Sequence, residues 1–164
     1  MLTPRNARKR GFSLLELVIV VVIIGIIAAI AIPRMSRGTA GALDSALKQD
    51  LAVLRNAIEL FSAEHDGSFP TLAKITNQLT LYSDSTITSD PVAARDKDHP
   101  FGPYLREVPK LPVGSANKGK DTFTSQLPVG TGDGGWYYNE ATGEIRANCP
   151  DTEVDQLGNK WNSY

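Results

Sequence analysis

The sequence of 164 residues contains a single cysteine, Cys149, and only two histidines. One cysteine excludes an intramolecular disulfide framework and a multi-cysteine metal site. Two histidines leave too little material for a histidine-rich metal centre. Seventeen basic residues stand against 18 acidic ones, for a net charge of −1. This balance lacks the positive excess that nucleic-acid-binding domains carry, so we expect no nucleic-acid partner.

A long apolar run occupies residues 12–32, and its only polar side chains are Ser13 and Glu16. A helix of this length spans about 31 Å, which matches the hydrocarbon core of a bilayer. Residues 1–11 contain four basic residues and no acidic one. We therefore predict a basic leader over residues 1–11 and a transmembrane helix over residues 12–32. The basic charge places the N-terminus in the cytoplasm and the remainder of the chain outside it.

The helical pattern becomes one-sided after Pro33. Apolar residues recur every three or four positions, at Leu43, Leu47, Leu51, Leu54, Ile58 and Phe61. This spacing predicts an amphipathic continuation of the helix over residues 33–66, with one stripe packed on a globular body. Gly67 predicts the end of the helix near Asp66–Gly67. Pro33 lacks an amide hydrogen and predicts a break in the helix, where backbone hydrogen bonds are lost.

Residues 67–164 form the predicted globular domain. The strongest strand signal is a hairpin whose arms are Trp136–Asn139 and Glu144–Asn148, with Gly143 in a left-handed turn position. The expected fold class is therefore α+β. A long N-terminal helix, transmembrane in its first half and amphipathic in its second, packs on a small C-terminal antiparallel β-sheet.

The other segments of this domain carry weaker signals. Residues 72–81 are compatible with a short helix or an irregular turn, and residues 104–108 with an edge strand or extended chain. We expect loops at residues 83–103 and 110–135, the second of them long and exposed. Trp161 and Tyr164 are expected to fold back onto the domain.

Glu16 lies one turn inside the predicted membrane helix. A carboxylate costs about 2.5–3.5 kcal/mol at mid-bilayer, so its position there calls for a functional partner. The alternative is that Glu16 lies near the lipid headgroups and reaches water. A conventional secretory signal, cleaved before Ile32, is a further interpretation of the run. It would require an apolar core of only about 7–15 residues.

The junction Lys9-Arg10-Gly11-Phe12-Ser13-Leu14-Leu15-Glu16 resembles that of type IV pilins and of the pseudopilins of type II secretion. The resemblance implies cleavage after Gly11 by a prepilin peptidase and N-methylation of Phe12. It also implies an assembly role for Glu16, which neutralises the Phe12 amine of a neighbouring subunit. Pro33 matches the helix-breaking proline of the family.

The C-terminal half resembles the major pseudopilins, in the hairpin that starts at Gly135 and in residues 104–109. The Asp-Pro-Trp-Gly-type element of many major pseudopilins is missing. The lone Cys149 cannot form the disulfide-bounded loop of many type IV pilins, which favours a pseudopilin. The resemblance implies a filament-forming subunit of a type II secretion system, with no catalytic residue. The alternatives are a type IV pilin for adhesion, motility or DNA uptake, and a membrane-anchored periplasmic domain that does not assemble.

The resemblance also implies where the chain acts and what it binds. The expected location is the bacterial inner membrane, with the C-terminal domain in the periplasm and the filament in the periplasm or outside the cell. The implied partners are further copies of the chain, the prepilin peptidase and methyltransferase, an inner-membrane assembly platform, minor pseudopilins and membrane lipid.

Four acidic residues lie near predicted loops of the C-terminal part, namely Asp133, Asp151, Glu153 and Asp155. Major pseudopilins bind calcium in such loops, so the resemblance leaves a structural calcium ion and a plain solvated acidic loop open. The sequence predicts no other cofactor. Cys149 with His65 or His99 suggests a thiol nucleophile. We do not predict one, because no third group that would orient the pair is visible in the sequence.

Overall fold

The computed structural model describes residues 12–127 and 129–164, and in the first helix it describes every side chain except those of residues 31–38. Within these residues, two α-helices, three strands and a 3-10 turn follow one another: α1 Leu14–Glu64, α2 Ile75–Thr80, β1 Phe123–Thr124, β2 Trp136–Asn139, β3 Glu144–Ala147 and the turn Trp161–Ser163. The chain divides into two compact units between Thr39 and Ala40.

The N-terminal unit contains the first part of α1. Its large apolar side chains from Phe12 to Ile30 are exposed, with exposed fractions from 44% at Val18 to 80% at Leu14. In the part of the chain that the structure describes, no helix has both the length and the apolar character needed to cross a membrane. Pro33 lies within the residue range of α1, but its side chain is outside the described set, and the break there stays a prediction.

The second unit is built on the amphipathic part of α1. Leu47, Leu51, Leu54, Ile58 and Phe61 are each 1% exposed or less, while Arg55, Asn56 and Glu59 on the other faces are exposed. The predicted stripe is therefore confirmed as the side of α1 that enters the core. Burial of each such side chain contributes about 1.5–3 kcal/mol, which fixes this helix on the domain.

Helix α1 ends at Glu64, two residues before the predicted end. Asp66 has φ 52° and Gly67 has φ 81°, so both take left-handed conformations. The Gly67 amide donates to the Ser62 carbonyl at 2.8 Å, which is the outer hydrogen bond of a Schellman motif. Gly67 thus closes the helix, and Asp66 supplies the first left-handed residue.

The sheet has the order β1-β2-β3. Strands β2 and β3 are antiparallel, with Trp136 opposite Ala147 and Tyr138 opposite Ile145, which confirms the predicted hairpin. Strand β1 adds to β2 in parallel, with Phe123 opposite Trp136. The sheet is therefore mixed and not purely antiparallel as predicted. The added parallel strand has only two residues, too few for an alternating pattern in the sequence to predict it.

The expectation of an exposed loop over residues 110–135 is wrong for part of that segment. Leu111 and Val113 are 0% and 2% exposed and belong to the core. Asn117 is also buried, and its Nδ2 donates to the carbonyls of Asn148 at 2.9 Å and Gly132 at 3.3 Å. The segment has few apolar residues, so its pattern did not predict burial. Asn117 can be buried among them because its side-chain amide is hydrogen-bonded.

Residues 104–108 do not form a strand, and the chain bends at Arg106 and Glu107. The amides of Tyr104 and Leu105 both donate to the Leu79 carbonyl, at 3.0 and 2.9 Å, at the end of α2. Trp161 and Tyr164 fold back onto the domain as expected. Trp161 Nε1 donates to Asp44 Oδ1 at 2.8 Å, and Arg55 Nη2 donates to the main-chain oxygen of Tyr164 at 2.5 Å.

Candidate processing and assembly site

The predicted processing site lies at the start of the described chain. Gly11 is outside the described residues, so cleavage after it stays a prediction. Phe12 is 79% exposed and precedes the first residue of α1, Leu14. The phenylalanine expected to become the new N-terminus is therefore neither helical nor buried by other described residues.

Glu16 and Ser13 together form a capping box at the N-terminus of α1. The Ser13 amide donates to Glu16 Oε2 at 3.0 Å, and the Leu15 amide donates to Ser13 Oγ at 3.3 Å. Two of the amides that an α-helix leaves unpaired at its start are satisfied in this way. The arrangement explains why the helix starts at Leu14, directly after the predicted junction.

Ser13 is a helix-capping residue that the sequence analysis did not single out. The signal was available, since a serine followed three residues later by glutamate before an apolar run is the pattern of a capping box. A carboxylate has about four acceptor positions. The bond from Ser13 therefore leaves Glu16 able to accept a cationic amine as well.

Three of the four acidic residues that the resemblance leaves open as calcium ligands bond to protein donors. Asp133 pairs with Lys120 Nζ at 2.6 Å, and Asp151 pairs with Lys160 Nζ at 2.5 Å. Ser115 donates from both its amide and its hydroxyl to Glu153 Oε1. Among the described residues, no group of three or more histidine, cysteine, aspartate or glutamate side chains is arranged to hold a metal ion.

Cys149 is structural. Its side chain is 1% exposed, and burial together with the nearby Glu153 carboxylate raises the pKa of the thiol to about 12. The two histidines have other partners: His65 bonds to the Phe61 carbonyl at 2.7 Å, and His99 Nδ1 lies 2.8 Å from Asp96. A thiolate nucleophile therefore has no support in this geometry.

Residues 6–32 match the sequence family described as the prokaryotic N-terminal methylation motif. The match covers Gly11, Phe12 and Glu16. It places the capped, exposed apolar helix in the class of proteins that carry this N-terminal motif. Over 108 residues the chain is 30% identical to type II secretion system core protein G of Klebsiella pneumoniae, covering 66% of this chain and 71% of that protein.

Other relatives agree with this match. The core protein G of Aeromonas hydrophila is 28% identical over 111 residues, which is 68% of this chain and 72% of that protein. The type IV major pilin protein PilA of Myxococcus xanthus is 49% identical over 61 residues, which is 37% of this chain and 28% of the pilin. No solved structure gives a significant match. The chain belongs to the core protein G family of type II secretion, the major pseudopilins.

Proposed function

We propose that the mature chain, Phe12–Tyr164, is a structural subunit that polymerises with copies of itself into the filament of a type II secretion system. The observation that carries this proposal is the exposed apolar helix that begins directly after the junction. Glu16 is the only acidic residue on this helix before Asp44. A subunit that is cut, methylated and stacked through this helix needs no catalytic centre of its own.

The exposed apolar surface supports a location in the membrane before assembly. Side chains such as Ile19, Ile23 and Ile27 are 49–59% exposed. Apolar surface of this extent is a site of interaction with lipid or with other protein. We infer that residues 12–32 cross the inner membrane with the domain in the periplasm, and that helices of neighbouring subunits replace lipid in the filament.

The family membership supports the remaining partners. A prepilin peptidase and methyltransferase processes the junction, and an inner-membrane platform and minor pseudopilins take part in assembly. A type IV pilin is the second candidate, because the N-terminal part is 49% identical to the pilin of Myxococcus xanthus. Neighbouring genes separate the two functions, since a secretin and a secretion ATPase accompany the first and a retraction ATPase accompanies the second.

The test of this function is the pair of substitutions Glu16→Ala and Glu16→Gln. After cleavage, the Phe12 amine is a positive charge at the edge of an apolar core, and Glu16 is the residue that neutralises it in the next subunit. Removing one member of a buried ion pair costs about 3–5 kcal/mol, because the other member is left unpaired. We expect both variants to be inserted and cleaved normally but to enter filaments poorly beside wild-type subunits.

Glutamine separates the two roles of Glu16. Gln at this position still completes a capping box but carries no charge. If charge pairing drives assembly, Glu16→Gln fails as Glu16→Ala does, when the yield of sheared filaments is measured against the membrane level of each variant. Normal assembly of Glu16→Gln would leave Glu16 as a helix-capping residue and would contradict the pairing mechanism.

A further inference from the structure

The C-terminal segment Cys149–Tyr164 contains few regular elements, yet it is held firmly against the domain. Two carboxylates with little exposure organise it: Asp155 within the segment is 7% exposed, and Asp44 on α1 is 9% exposed. The resemblance to major pseudopilins leaves a calcium site open in these loops. The hydrogen bonds around the two carboxylates indicate a different arrangement.

Asp155 is surrounded by hydrogen-bond donors. Its Oδ1 accepts the amides of Leu157 at 2.8 Å and Asn159 at 2.7 Å, and its Oδ2 accepts Asn159 Nδ2 at 3.0 Å and the Tyr164 hydroxyl. The Asp155 amide in turn donates to the Asn159 carbonyl at 2.8 Å, which closes the loop from residue 155 to residue 159. The Tyr164 hydroxyl, followed by the Asn159 and Leu157 donors, holds the pKa of the Asp155 carboxyl well below its usual range.

Asp44 joins this segment to the long helix. Its Oδ1 accepts Trp161 Nε1 at 2.8 Å, and its Oδ2 accepts the Gln156 amide at 3.3 Å. Lys48, one turn further along α1, places its Nζ 4.4 Å from the centre of the Tyr164 ring. Tyr164 therefore contacts both the Asp155 loop and α1. Asp155 and Asp44 both accept hydrogen bonds from residues of the C-terminal segment.

The groups around Asp155 are hydrogen-bond donors, whereas a cation site needs oxygen atoms that act as ligands. Calcium takes six to eight oxygen ligands at about 2.3–2.6 Å. The groups that face Asp155 are amide N–H groups, an amide side chain and a hydroxyl, and each directs a hydrogen atom at a carboxylate oxygen. An ion placed there would have to displace these donors and would meet nitrogen-bound hydrogens in place of oxygen atoms.

We propose that Asp155 and Asp44 fold the C-terminal segment through protein hydrogen bonds and not through a bound calcium ion. The folded domain is then independent of divalent cations. A charged carboxylate saturated with donors forms stronger hydrogen bonds than a neutral acceptor does, and this gives the segment its fixed position without a metal or a disulfide.

The test uses the full chain in detergent and follows thermal unfolding by near-ultraviolet circular dichroism. The midpoint is measured in millimolar calcium, in millimolar magnesium and in excess EGTA, for the wild type, Asp155→Asn and Asp44→Asn. Asp98→Asn is the matched control, because Asp98 is exposed in the loop before Pro100. We expect the wild-type midpoint to be the same in all three solutions. Asp155→Asn and Asp44→Asn should each lower it by several degrees, equally in calcium and in EGTA, and the control should leave it unchanged.

Two results would overturn the proposal. A calcium-bound domain would lose several degrees in EGTA and regain them with calcium but not with magnesium, since a ligand that binds only the folded state raises its stability. The effect of Asp155→Asn would then be large in calcium and absent in EGTA. An Asp155→Asn midpoint equal to that of Asp98→Asn in every solution would equally contradict a structural role for Asp155.

Discussion

Glu16 and Asp155 are two carboxylates that the fold treats in opposite ways. Glu16 is exposed and accepts the amide of Ser13 at the start of α1. Asp155 is nearly buried and accepts four donors, from Leu157, Asn159 and Tyr164. A carboxylate with acceptor capacity left suits an intermolecular ion pair, while a saturated one suits a structural role. The surroundings of each residue, and not its type, therefore decide whether its carboxylate is available to a further partner.

Gly143 lies in the hairpin turn at a position where an added side chain would be strained and crowded. It has φ 70°, and a Cβ placed on it would lie 2.5 Å from Phe69 Cε1. Gly119 is a matched control, because it has φ 84° but a Cβ there would meet no described atom within 4 Å. We expect Gly119→Ala to lower the free energy of unfolding by about 1–2 kcal/mol through backbone strain alone.

Gly143→Ala adds a steric clash to the same strain. Overpacking of this kind costs about 1–3 kcal/mol more, so Gly143→Ala should be clearly less stable than Gly119→Ala in urea unfolding of the purified chain. Equal stabilities for the two variants would show that Phe69 moves aside freely and that the contact does not fix the turn.

At the scale of single residues, the sequence predicted some of these roles and not others. Gly143 was predictable, because a glycine between two strand-like arms occupies a known turn position. The role of Asp155 was not predictable, because an aspartate that accepts hydrogen bonds from amides and an aspartate that binds calcium look the same in a sequence. The donors come from Leu157, Asn159 and Tyr164, and the position of Tyr164 depends on tertiary contacts that no local pattern encodes.

At the scale of elements, periodicity decides what can be predicted. The amphipathic part of α1 was predictable because six apolar residues repeat over five turns. The hairpin was predictable because an aromatic arm precedes a glycine turn and an alternating arm follows it. Strand β1 has only two residues, and Leu111 and Val113 stand among glycines and lysines. Their burial follows from their place against the rest of the core, which a local pattern cannot report.

Helix α1 supplies a direct test of its predicted orientation. Leu51 is fully buried in the core, while Leu60 on the same helix is 56% exposed. Leu51→Ala removes core contacts and leaves a cavity, so we expect it to lower the free energy of unfolding by about 2–5 kcal/mol. Leu60→Ala is the matched control and should change it by about 0.5 kcal/mol or less, as surface substitutions usually do.

Chemical denaturation of the two leucine variants, followed by far-ultraviolet circular dichroism, checks this expectation. A Leu60→Ala variant as unstable as Leu51→Ala would mean that the exposed face of α1 is covered in the isolated chain. The burial pattern of the helix would then have to be revised, together with the choice of the stripe that packs on the sheet.

At the scale of the whole molecule, the two units obtain their stability differently. The unit from Ala40 to Tyr164 has its own core and its own hydrogen-bonded C-terminal segment. The unit before it exposes apolar side chains from Phe12 to Ile30. This distribution is what a subunit needs if one part of the chain folds alone and the other is covered by lipid or by neighbouring subunits.

The proposed function requires that this chain is cut at one junction and then built into a filament. The most direct measurement is the intact mass of the chain recovered from sheared filaments. The account predicts the mass of Phe12–Tyr164 with one added methyl group. The full-length chain, a chain that begins at Ile32 as a secretory signal would leave it, or no recovery of the chain in the filament fraction would contradict the account.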